Sequence, residues 1–120
     1  MAKSWIQWFE IPVYQFDKAK LFYEAVFNIE LHTLDLGAQT MAVFPPELAS
    51  GALCQGDWYH PSDRGVTLHV PVDDIERALE RVEAMGGSII QPKKLISSEL
   101  GYMALISDCE GNRLALRAER

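Results

Sequence analysis

The chain has 120 residues, enough for one modest core and, by the usual prior, one domain. Hydrophobic residues make up 48% and charged residues 23%, a soluble globular balance with no membrane-length apolar run and no export-signal stretch in "MAKSWIQWFE". A net charge of -6 and a pI near 4.9, with scattered basic residues, weigh against nucleic acid as a partner, the lack of an apolar span against a membrane, and the unpatterned Cys54 and Cys109 fit a reduced, cytoplasmic setting.

In chain order, Trp8 to Ile11 alternates as a strand. A helical period follows at Phe16, Ala19, Phe22, Tyr23, Val26 and Phe27, and Asn28 ends it as a residue that tolerates positive φ. Three strand-like runs come next, "IELHTL", "QTMAVF" and "GALCQ". The segment 56–65, "GDWYHPSDRG", is a linker carrying Trp58, Tyr59 and His60. Thr67 to Val70 is then a strand, and Ile75, Ala78, Leu79, Val82 and Met85 form a helical face. Asp73 or Asp74 is its expected N-cap and Gly87 its positive-φ terminator. The runs "GSIIQ", "GYMALI" and "RLALR" complete the chain.

The second half repeats the first. "EIPVYQFDKA" at 10–19 and "HVPVDDIERA" at 69–78 match at an offset of 59, which sets Pro12 on Pro71, Ala19 on Ala78 and Asn28 on Gly87. After the helices the offset is 62, with Met41 on Met103 and Ala42 on Ala104, so three added residues are expected in the loop "PKKLISSEL". This predicts an α+β fold of two tandem βαβββ modules, about 5–55 and 66–118, joined by the linker into one domain over 1–120.

The arrangement resembles the vicinal oxygen chelate superfamily, which includes glyoxalase I, extradiol dioxygenases, fosfomycin-resistance proteins and bleomycin-binding proteins. The residues that carry the resemblance are "WFEIPVYQFDKAKLFYEAVF", "GVTLHVPVDDIERALERVEAMGG" and "GYMALISDCEGNRLAL". It implies a curved mixed-sheet cup, a homodimer, and a divalent metal held by first-strand and last-strand residues of each module. By register those positions are Trp8, Thr67, Ala115 and Leu53. Indole, two aliphatic side chains and a neutral hydroxyl are not competent ligands, so neither a metal nor another cofactor is expected.

Strand alternation then sets Glu10, Gln55, His69 and Arg117 one layer above those corners on the same face. Glu10 and His69 are either a general acid–base pair, with Arg117 anchoring an anionic substrate, or a salt-linked structural network, or two ligands of a displaced metal. Trp58 and Tyr59 either stack on a planar ligand or pack the module junction or a dimer seam. Met103 completes the ligand-lining set. His32 and His60 read as strand and turn residues, and both cysteines as unreactive thiols. The expected function is binding of a small organic molecule, planar or anionic. The alternative is a lyase, isomerase or dioxygenase-like enzyme using Glu10 and His69.

Overall fold

The computed structural model describes residues 5–120; residues 1–4 of the expected domain and of the opening stretch lie outside the described residues. Among the described residues the elements run β1 (Phe9–Pro12), α1 (Phe16–Phe27), β2 (His32–Asp35), β3 (Gln39–Val43), β4 (Gly51–Gly56), β5 (Leu68–Pro71), α2 (Ile75–Ala84), β6 (Ser88–Ser97), β7 (Gly101–Ser107) and β8 (Arg113–Ala118). They form two four-stranded sheets of order β1-β4-β3-β2 and β5-β8-β7-β6. The pairs β1/β4 and β5/β8 are parallel and the rest antiparallel. The two βαβββ modules follow from the repeat as expected.

Each helix covers one face of its own sheet, and the two helices pack on each other. As a result a single apolar core joins both modules. Ile11, Ala42 and Leu53 of the first sheet share it with Ala104, Ile106, Leu114 and Leu116 of the second. From the helices it takes Ala19, Phe22, Tyr23 and Val26, and Ile75, Ala78, Leu79 and Val82. Because side chains alternate across a strand, the other face of each sheet is left without a helix and turned away from this core.

The turn "SDCEGN" ties the modules together. The Asp108 side chain is buried and accepts from Tyr23 Oη, from the N–H of Glu110 at 2.8 Å, and from both the N–H (2.9 Å) and Nδ2 (3.1 Å) of Asn112. Asn112 Nδ2 also donates to the Pro12 carbonyl at 2.8 Å, while its Oδ1 accepts from the Ser62 N–H at 3.0 Å. Glu110 accepts from the N–H groups of Tyr14 (2.9 Å) and Gln15 (2.7 Å), just ahead of α1, whose Gln15 cap makes no side-chain hydrogen bond of its own. A hairpin turn of module two thus caps the helix of module one.

Several local expectations need correction. Residues 29–31 are not strand: the N–H groups of Ile29 and Leu31 donate to the Glu24 carbonyl and carboxylate, which tethers them to α1. The added residues of "PKKLISSEL" do not form a loop. They lengthen β6, whose pairing with β7 shifts register three times, and Pro92 falls within such a shift. Asp74, not Asp73, caps α2, its Oδ1 accepting from the Arg77 N–H at 3.1 Å. Asn28 has φ +54° as expected, but the positive φ after α2 belongs to Gly86, at +93°, rather than to Gly87.

Candidate functional site

The helix-free face of the first sheet is built from alternate residues of three strands. β1 places Glu10 there, β4 places Ala52 and Cys54, and β3 places Met41 and Val43. Tyr59 folds down from the linker onto this surface, where it packs with Met41, Ala52 and Cys54. Its hydroxyl donates to Glu10 Oε1 at 2.8 Å and lies 3.3 Å from Gln39 Oε1. Glu10 Oε2 accepts from the Trp8 indole at 3.3 Å. Trp58 stays exposed beside Tyr59, with ring centroids 5.5 Å apart.

Burial, reinforced by the hydrogen bond to Glu10, pushes the Tyr59 phenol up to about 12. Burial and the Glu10 charge push the Cys54 thiol up to about 12 as well. Tyr59 is therefore a neutral donor to Glu10 at any physiological pH, and Cys54 is a packed thiol rather than a nucleophile. At the module clasp, burial and then Asp108 and Glu110 raise Cys109 to about 11. Burial and Asp108 likewise hold the Tyr23 phenol well above its usual value.

The helix-free face of the second sheet has a different chemistry. It carries His69 and Thr67 at β5, Arg113, Ala115 and Arg117 on β8, Met103 and Leu105 on β7, and Lys94 on β6. Arg113 donates to Thr67 Oγ1 through Nε (3.1 Å) and Nη2 (2.9 Å). Arg117 Nη2 donates to the Leu100 carbonyl at 2.9 Å, and its Nη1 lies 3.4 Å from His69 Nδ1.

The structure thus sets Trp8, Glu10, Thr67, His69, Met103, Ala115 and Arg117 on helix-free faces. Two expected members are elsewhere. Leu53 is fully buried in the shared core, and Gln55 is turned toward the helix side, its Nε2 donating to the Tyr14 carbonyl at 2.6 Å. The reason is register: Glu10 sits beside Ala52 as His69 sits beside Ala115, so the last strands match at an offset of 63 rather than 62. Ala52 therefore takes the corner that the sequence assigned to Leu53.

Glu10 and His69 occupy equivalent places, yet within one chain each is bound by its own sheet. Glu10 is held by Tyr59 and Trp8, and His69 by Arg117. His60 meets Tyr14 Oη at 2.9 Å, and His32 is exposed on the edge strand β2. Lys94, Arg113 and Gln39 were not foreseen as members of these faces. Alternation could have revealed Arg113, two residues from Ala115. A cleft of about 760 Å³ lies instead on the helix side between the modules, lined by Phe9, Ile11, Val26, Val70, Arg77 and Arg81 among others.

A protein-family comparison matches residues 5–116 to the Glyoxalase/Bleomycin resistance protein/Dioxygenase superfamily. The chain belongs to that superfamily. Among solved structures it is similar to TnmS3, an antibiotic binding protein from Streptomyces sp. CB03234. The two share 26% identity over 98% of each chain, with a TM-score of 0.69. A superfamily member from Sphaerobacter thermophilus DSM 20745 shares 17% identity over 98% of each chain, with a TM-score of 0.70. A glyoxalase I mutant from Zea mays has a TM-score of 0.72 at 16% identity, over 93% of this chain and 45% of that one. These last two likenesses show the fold. No curated protein matches.

The metal corner that the resemblance implies falls by register on Trp8, Ala52, Thr67 and Ala115, and this donor set does not fit a divalent metal. The alanines offer nothing to coordinate, and the indole is an N–H donor already used by Glu10. The Thr67 hydroxyl faces a guanidinium, whose positive charge opposes a cation at that spot. Among the described residues no three His, Cys, Asp or Glu side chains group as a metal site.

Proposed function

We propose that this protein binds a small organic molecule on its helix-free sheet faces, using side chains alone where the family resemblance implies a metal. The observation that carries this reading is the corner itself: Trp8, Ala52, Thr67 and Ala115 offer no ligand set, and, with both alanines fully buried, the surface left for a ligand is that of the side chains around them. The antibiotic-binding activity named for TnmS3, similar along nearly the whole chain, supports binding as a function in its own right.

Each face is half of an enclosure, and a second copy of the chain supplies the other half. Exposed Trp5, Ile6 and Trp8 ahead of β1, and Val66 ahead of β5, provide the apolar surface for that pairing. Glu10 on the first face and Lys94, Arg113 and Arg117 on the second are opposite in sign, so in this reading the first sheet of one copy meets the second sheet of the other. This is also the arrangement in which Glu10 and His69 would meet, and an acid–base reaction through them requires it. Among the described residues no helix is long and apolar enough to cross a membrane. The same reading takes the chain to work as a homodimer in the cytoplasm.

A thermal-shift screen over planar and anionic metabolites and aromatic antibiotics tests this. Ligands should raise the melting temperature in proportion to the logarithm of their concentration. Methyl NMR shifts should then fall on Met103 and Ala115 rather than on Val26 and Val70 of the helix-side cleft. A broad screen without a stabilising compound would refute the binding reading, and shifts confined to the cleft would relocate the site.

A further inference from the structure

The second helix-free face concentrates positive charge in an acidic chain. Lys94 pairs with Met103, Met103 with Arg117, and Ala115 with both His69 and Leu105, so these side chains share one surface together with Arg113. Among the described residues, Lys94, Arg113 and Arg117 have no carboxylate partner, although the chain has 17 acidic against 11 basic residues. Charges left unpaired on one face call for a partner from outside.

Arg117 shows the deficit atom by atom. Its Nη2 is used by the Leu100 carbonyl, and its Nε is buried with no hydrogen-bond partner. An orphaned buried donor is costly, and on a charged group more so. Because a guanidinium only donates, the contact with His69 makes Nδ1 the acceptor and leaves the imidazole proton on Nε2. His69 is exposed, so this second N–H faces outward. Half-buried Met103 and Leu105 give the same surface an apolar bed beside fully buried Ala115. Glu10 of a facing copy brings one carboxylate to three cations, so it does not meet the whole need.

We infer that this face seats the oxyanion of a planar aromatic acid, a carboxylate or phenolate, on Arg117 and His69, with the ring on Met103 and Leu105. The inference rests on the small-molecule reading above and names its ligand class. A small turn of the guanidinium presents Nε and one Nη side by side, the fork that matches a carboxylate, while His69 Nε2–H supplies a third donor.

Calorimetric titration with 2-naphthoate and its neutral shape mimic 2-naphthamide tests the assignment. The native protein should prefer naphthoate by about tenfold or more, the scale of a charge-assisted hydrogen bond. Arg117→Met should abolish the preference while leaving naphthamide affinity in place, and Arg117→Lys should keep part of it. Because the readout is a ratio within each variant, a loss of stability does not mimic the effect. Equal binding of the two probes by the native protein, or an intact preference in Arg117→Met, would overturn the assignment. If neither probe binds while the screen yields neutral planar ligands, the oxyanion assignment falls and the binding reading stands. If the screen is also empty, both fall.

Discussion

Asp108→Ala is expected to destabilise the protein by about 3 kcal/mol, the scale of removing a buried hub and orphaning its partners. Two backbone N–H groups, the Asn112 amide and the Tyr23 hydroxyl all lose an acceptor. Tyr23 suffers most, because its phenol is buried in the core between the modules. Urea denaturation measures the loss directly. A cycle with Tyr23→Phe should show strong coupling, since the two changes remove the same bond. The functional consequence runs through Asn112, which reaches both the Pro12 carbonyl and the Ser62 N–H. Slackening that turn frees β1 and the linker, hence the placement of Trp8, Glu10 and Tyr59. A cost below about 1 kcal/mol, the worth of one ordinary hydrogen bond, would show that the turn is decoration rather than the clasp.

The second large effect is at Gly87. A Cβ there would lie 2.6 Å from the Ser107 carbonyl oxygen and 2.9 Å from both Phe22 and Val82, so backbone must move apart. Gly87→Ala should cost about 3 kcal/mol, typical of overpacking against backbone. Gly86→Ala adds a side chain in near-open space, where only ordinary contacts with Cys109 and Lys18 await, but at φ +93°. Its expected cost is about 1–2 kcal/mol from backbone strain alone. Thermal melts of the two variants decide the ranking, and a larger loss for Gly86→Ala would contradict it.

The roles of these glycines show where sequence reading stops. Repetition at a fixed offset reveals the modules because each copy carries its own apolar period, and that period alone dictates which side of a strand or helix is buried. Alternation then puts Trp8, Glu10, Thr67, His69, Ala115 and Arg117 on helix-free faces, though of two separate sheets rather than on one shared face. It fails at Leu53 and Gln55, because the match between β4 and β8 depends on hairpin length, and a slip of one residue exchanges the faces of a strand. The turn that holds Asp108 and Glu110 links residues 85 and 96 positions apart and leaves only a turn-like "SDCEGN" in the sequence. Equally invisible is the descent of Tyr59 onto Glu10, since a linker's path is set by what it packs against.

Ligand affinity with and without metal is the most direct measurement of the account. Protein stripped with chelator and protein supplied with nickel, zinc, manganese or iron should bind a screened ligand by calorimetry with the same Kd, and neither should retain stoichiometric metal. Binding or turnover that appears only when a divalent ion occupies the protein would contradict the claim that Trp8, Ala52, Thr67 and Ala115 have replaced coordination with contact.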